Sequence, residues 1–160
     1  IENAVNSIVY LNIPDVPTAE YVSMSYMIGV DSLRNVSGAQ SGALDPVNDM
    51  FWSWNSGYIF SKMEGTSPES SDGTFTYHVG GFKSPNAANV VNMELTTPEM
   101  IKINPDATPE VHFMMNLNAA FDGTPALKVA EMNRVTMPGM MAKEIAMNFQ
   151  DAFMLHHIHN

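Results

Sequence analysis

The chain has no cysteine in its 160 residues. Disulfides, thiolate zinc sites and cysteine nucleophiles are excluded, while the redox compartment stays open, because a secreted protein need not use disulfides. Basic residues are scarce: 7 Lys and Arg stand against 17 Asp and Glu, a formal net charge of -10. A nucleic-acid partner needs a basic footprint, which is missing, and an anionic membrane surface would repel this chain. The same imbalance suits solubility and the attraction of cations. No apolar run approaches the ~18 residues of a membrane span, so no transmembrane segment is expected. No signal-peptide pattern stands at the start, and a first residue of Ile1 rather than Met is expected to mark a processed form or a fragment. Also missing are the Gly-x-Ser-x-Gly elbow, a phosphate loop, a dinucleotide fingerprint and His-Glu-x-x-His. The chain is therefore expected not to be an enzyme.

What is present is enough for a core. Hydrophobic residues make up 45% of the chain, an ordinary share for a globular protein. The length predicts one domain, residues 1–160. The 14 methionines are scattered rather than set in a repeat, which favours filling of irregular core gaps over a soft-metal role.

The organising stretch runs from Met50 to Gly81. It holds both tryptophans, Trp52 and Trp54, with Tyr58, Tyr77 and the first histidine, His78. Two strand-like runs flank a polar loop from Thr66 to Gly73, which predicts a long-looped hairpin. Other strands are predicted over Ser7 to Ile13, Glu20 to Val30, Asn89 to Leu95 and Pro109 to Leu117. In the second of these, Val22, Met24, Tyr26, Ile28 and Val30 share one face. In the last, Val111, Phe113, Met115 and Leu117 face one way, and His112, Met114 and Asn116 the other. Thr97-Pro98-Glu99 suits a helical turn. One helix is predicted, from Pro138 to about Leu155, with Met141, Ile145, Phe149 and Phe153 on its stripe and Thr136 as its cap. The fold class that follows is all-β: an antiparallel β-sandwich with irregular loops and one C-terminal helix. A sandwich usually needs about seven strands, and too few are found at the start.

Several groups carry chemistry, each beside a plainer reading. His78 lies on the strand face opposite Phe75, Tyr77 and Val79; a lone strand histidine is usually a satisfied or surface residue. Trp52 and Trp54 are two apart, so an extended strand projects both to one face, where packing is the plain alternative. His157 and His159 form a His-x-His pair, whose imidazoles in a strand point the same way, suited to Cu, Zn, Fe or Ni. The alternative is a frayed terminus. His156 is expected on the opposite face. Asp31, Asp45 and Asp49 lie in a long polar loop that suits calcium, although no EF-hand spacing is present and turn chemistry is the plainer reading.

The block Met50-Phe51-Trp52-Ser53-Trp54, followed by Gly57-Tyr58-Ile59-Phe60 and Met63-Glu64-Gly65, is preceded by Ile28-Gly29-Val30-Asp31-Ser32 and Leu44-Asp45-Pro46. It is followed by Tyr77-His78-Val79-Gly80-Gly81. Together these resemble the MbnP-like family of bacterial copper-binding proteins, of which the metallo-mystery pair proteins look like close relatives. The similarity covers mainly the first half of the chain. It implies a periplasmic, outer-membrane-associated or secreted β-sandwich that binds one copper ion through histidines and a tryptophan oxidised to kynurenine. It further implies a diheme peroxidase-like partner that performs the oxidation. Carried across by residue, His78 is the ligand match and Trp52 or Trp54 the residue oxidised. Family members have additional N-terminal sequence before the point where this chain begins, so the domain is expected to lack N-terminal strands of the family. A second ligand is then either absent or supplied by His157 or His159.

The expectation is thus a non-enzymatic, extracytoplasmic copper-binding protein. An alternative from another class is a metal-free structural or adhesive surface module, whose unpaired strand edge recruits a second copy or a partner strand. A third is a carbohydrate-binding module with Trp52 and Trp54 as an exposed stacking platform.

Overall fold

A computed structural model describes residues 10–83, 85, 87 and 91–160, with the backbone alone described at 91–98 and 150. Strands dominate, and the longest of three short helices lies near the C-terminus, so the all-β class with a C-terminal helix holds. In chain order the elements are β1 (Ala19–Ile28), α1 (Ser32–Val36), β2 (Phe51–Ser53), β3 (Gly57–Thr66), β4 (Thr74–Gly80), β5 (Val91–Ile103) and β6 (Glu110–Met115). Then come α2 (Leu117–Asp122), β7 (Arg134–Val135), α3 (Met140–Ala152) and β8 (Phe153–His159). They pair as three sheets, in the orders β1-β5, β2-β3-β4-β7 and β6-β8. All the pairings are antiparallel except the short β4–β7 contact, which is parallel. No helix among the described residues is long and apolar enough to cross a membrane.

The main core lies between β4 and α3. Tyr77 and Val79 of β4 meet Ala142, Ile145, Ala146, Phe149 and Ala152 of α3, with Ala120, Leu127 and Val135 filling the edges. The helix buries this stripe because alanines let its backbone approach the sheet while Ile145 and Phe149 supply the apolar bulk. Tyr77 is wholly buried, and its hydroxyl donates to the Met132 carbonyl at 2.6 Å, so the burial leaves no phenol unpaired.

The helix differs from its prediction at both ends. Gly139, not Thr136, occupies the N-cap position, and no side chain caps it. Phe153, expected on the helical stripe, opens β8 instead, and Met141 is exposed. The reason is tertiary: Asn116 donates its backbone N–H to the Ala152 carbonyl at 2.7 Å, and from Phe153 onward the chain pairs with β6. The predicted turn at Thr97-Pro98-Glu99 is likewise absorbed into β5. Of the predicted strand at Ser7 to Ile13, residues 7–9 lie outside the described residues and 10–13 are not in a strand; residues 89 and 90 of the predicted strand at Asn89 to Leu95 also lie outside them.

In β1 a register shift between Tyr21 and Ser23 turns Val22 outward, so Val22 does not join Met24 and Tyr26 as the alternation predicted. Tyr26 packs edge-on against Phe113 and Phe153, at 5.5 and 6.1 Å between ring centres. This contact sets β6 and β8 against β1.

The polar loop from Asp31 to Asp49 is ordered by side-chain bonds. Asp31 caps α1 by accepting from the Arg34 N–H at 2.9 Å, and Asp45 caps the short turn at Pro46–Asn48 by accepting from the Val47 N–H at 2.9 Å. Asn35 is buried, donates to the Val30 carbonyl at 2.7 Å and accepts from the Tyr58 N–H at 2.9 Å. Asp49 pairs with Lys62 at 2.6 Å. The three aspartates therefore serve separate structural roles. Among the described residues they form no joint cation cluster, against the calcium alternative.

The β3–β4 loop has a similar lock. Asp72 accepts from the Thr74 N–H and hydroxyl, both at 2.9 Å, from the Ser70 hydroxyl at 2.9 Å and from Asn133 at 3.1 Å. These donors, the Thr74 backbone N–H foremost, hold its carboxyl down at about 2, from an ordinary 3.8. A lowered carboxyl pKa means the unfolded chain takes up the proton first. The stabilisation is full above about pH 4 and is lost as pH falls towards 2. The Asp72→Asn variant should lose this acid dependence, read as a smaller drop in melting temperature between pH 5 and about pH 2.5. An unchanged acid response in Asp72→Asn would show that the loop lock does not govern it.

Candidate metal centre

The clearest constellation of ligating side chains sits on β6 and β8. These strands pair antiparallel, with Glu110 opposite His159, Val111 opposite Ile158 and His112 opposite His157. Strand alternation puts Val111, Phe113 and Ile158 on one face; Ile158 is buried, and Phe113, still 38% exposed, meets Tyr26. The other face then carries Glu110, His112, His157 and His159.

On that face three imidazoles converge. One ligating nitrogen from each of His112, His157 and His159 lies within 4.8 Å of the others, the only such group of His, Asp or Glu among the described residues. The rings of His112 and His157 stack at 4.2 Å with 13° between planes. His159 stands edge-on to both, at 5.0 Å from His112 and 4.6 Å from His157. The Nε2 atoms of His157 and His159 are 3.0 Å apart. Two nitrogens each about 2.0–2.1 Å from one tetrahedral ion stand about 3.3 Å apart, so small ring rotations bring this pair to ligating distance.

The electrostatics favour a neutral ring at His157. The His112 Nε2 is buried and has no hydrogen-bond partner among the described residues. Glu110 Oε2 lies 3.4 Å from it, close enough for charge attraction once the ring is protonated but not in hydrogen-bonding geometry. A buried ring nitrogen with no partner is a free donor site for a cation. His157 titrates below its ordinary value, first because burial disfavours the charged ring and then because His112, His156 and His159 repel a proton there. A neutral imidazole is the ligating form.

A β-bulge supplies a fourth histidine. The register shifts between His112 and Phe113, because His112 faces His157 while Phe113 faces Leu155, leaving His156 as the extra residue. His156, expected on the opposite face, instead brings its Nδ1 against the Nδ1 of His157. Asn160 then ties the strand end to β5, donating to the Met100 carbonyl at 3.1 Å and accepting from the Lys102 N–H at 2.7 Å. The terminal histidines are therefore held in a sheet, which overturns the frayed-terminus alternative.

The other predicted residues lie apart from this cluster. His78, on β4 opposite Lys62, is bonded through Nε2 to Glu64 Oε1 at 2.6 Å and is not one of the converging imidazoles. Trp52 and Trp54 do not share a strand face, because β2 ends at Ser53 and a turn carries Trp54 to Gly57. Trp54 is 66% exposed and its ring covers Gly38, whose φ of +92° suits glycine. Trp52 is half-buried, and a Cβ at Gly80 would lie 2.9 Å from its ring, so only glycine permits that seat. With one ring half-buried and the other in a turn, the pair is not the exposed stacking platform that a carbohydrate module requires. Sequence reasoning placed His112 on a polar strand face with no role. Its signal was present in the alternation of Pro109 to Leu117, but only strand pairing sets it opposite His157.

Fold and site together define a strand-rich protein with a cluster of three converging imidazoles on one sheet face. The family model described as MbnP matches residues 1–141, and the chain belongs to the MbnP family. The match takes in Trp52, Trp54, His78 and His112 and ends before β8. No curated protein and no solved structure matches the chain.

Proposed function

We propose that this chain is a non-enzymatic, extracytoplasmic copper-binding protein, periplasmic, outer-membrane-associated or secreted. The observation that carries the reading is the convergence of His112, His157 and His159, with the buried His112 Nε2 free of hydrogen bonds among the described residues, in a member of the MbnP family. Three imidazoles suit copper, and a bound ion would supply a Lewis-acidic, redox-active centre. The chain's part is to hold the rings in place and His157 neutral: stacking fixes His112 on His157, burial and neighbouring rings depress protonation of His157, and Asn160 anchors the strand. The net charge of -10 attracts the cation.

A second reading keeps an ion near β4, where Trp52 packs against Gly80, two residues beyond His78. Here Trp52, or Trp54, would be oxidised to kynurenine by a diheme peroxidase-like partner, and the new amine and carbonyl would supply donors that tryptophan lacks.

Copper analysis and intact mass of the natively produced chain test both. The first reading expects one tightly bound copper per chain with an unmodified mass. The second expects a gain of about 4 Da, one oxygen in and one carbon out, and loss of copper in His78→Ala. A chain that binds no copper after native production or after reconstitution removes both readings and favours the metal-free surface module.

A further inference from the structure

The outward face of β6 and β8 does not end at the histidines. Two residues beyond His112 lies Met114, and its partner in register is Met154 of β8. In an unbroken strand, Met154 and His157 are three residues apart and face opposite ways. The extra residue of the bulge at His156 corrects the phase, so His157 and Met154 stand opposite His112 and Met114 on one face. Both methionines are open to solvent, at 47% and 43% exposure. Their neighbours on the inward face are engaged elsewhere: Phe113 and Phe153 pack on Tyr26.

We infer that the paired thioethers of Met114 and Met154 extend the His112, His157 and His159 cluster into a mixed imidazole–thioether face that takes a monovalent copper ion. Two strand residues span about 6.6–6.8 Å, and an unbranched methionine with three rotatable bonds reaches back along that distance. Thioether sulfur is a soft donor and selects Cu(I), whereas imidazole alone serves Cu(II) and Zn(II) as well. An exposed methionine pair in register with a histidine cluster therefore sets the preference of the site, with the rings as anchor and the sulfurs as discriminator. The inference rests on the copper reading of the three histidines and adds the oxidation state to it.

The test compares Cu(I) and Zn(II) affinities, each by competition with a chromophoric chelator, for wild type, Met114→Leu/Met154→Leu and His157→Ala. Leucine conserves volume and apolarity, so the strands stay paired. The double leucine variant should lose roughly tenfold to a hundredfold in Cu(I) affinity with Zn(II) unchanged, while His157→Ala weakens both. X-ray absorption should find sulfur beside copper in wild type and none in the double variant. Unchanged Cu(I) affinity in the double variant, or an equal loss for both ions, overturns the thioether role and leaves the three-histidine site standing. Wild type that binds neither ion removes the underlying reading as well.

Discussion

Replacing His157 by alanine should lower copper affinity by more than the roughly 10- to 100-fold that loss of an outer-shell partner brings, because His157 is central to the cluster. It stacks on His112, meets His159 at 3.0 Å through Nε2 and contacts His156 through Nδ1. Among the described residues no other ring touches all three. A ligand that binds only the folded chain raises its melting temperature, so excess copper should lift wild type by about 5–10 °C and leave His157→Ala unmoved. The same titration carries a sign with pH. His157 titrates below its ordinary 6.5, so it is neutral, the form able to ligate, at pH 7. Acid returns the proton and should release bound copper. The apo fold follows the same direction: the unfolded chain protonates this histidine first, so the contribution is full above 6.5 and is lost as pH falls through the lowered value. Equal copper-induced shifts in wild type and His157→Ala would place the ion elsewhere, with His78 the next ligand to remove.

The largest effect on stability should come from Phe149→Ala. Phe149 is 3% exposed in the cluster that joins α3 to Tyr77 and Val79 of β4. Truncating a buried phenylalanine removes its transfer free energy and leaves a cavity, about 3–5 kcal/mol together. For a chain of this size that is a fall of roughly 10 °C in melting temperature. Met147 lies on the same helix but is exposed, and Met147→Ala should stay within about 0.5 kcal/mol of wild type. Chemical denaturation of the two variants decides the matter: similar midpoints would mean that α3 is not seated on β4. The consequence reaches the histidines, because α3 passes into β8 at Phe153 without a loop. Hydrogen exchange in β8 should therefore rise in Phe149→Ala.

Some of this was legible in the residues alone. Alternation marked β1, β4 and β6, and a 3.6-residue rhythm marked α3, because those periods record which face of an element is buried. His-x-His at His157 and His159 gives ligating geometry only in a strand, and a strand is what forms. The MbnP resemblance carried by the blocks between Ile28 and Gly81 agrees with a family match over residues 1–141. Trp54 leaves the face of Trp52 because a turn over residues 54–56 breaks the extended run after Ser53, and β3 opens at Gly57, whose φ of +78° suits glycine.

By itself, then, the order of amino acids determined the class of fold, the absence of thiol chemistry, the acidic surface and the candidate donors. Those depend on composition and on periods shorter than five residues, which any stretch of chain carries within itself. Tertiary structure decided which donors meet. Strand pairing set His112 opposite His157, one extra residue at His156 put Met154 in phase with Met114, and Glu64 engaged His78 away from the cluster. Register between β6 and β8, with Ile158 buried and Phe113 and Phe153 packed on Tyr26, sets His112 opposite His157 across more than forty intervening residues, and no local pattern encodes it.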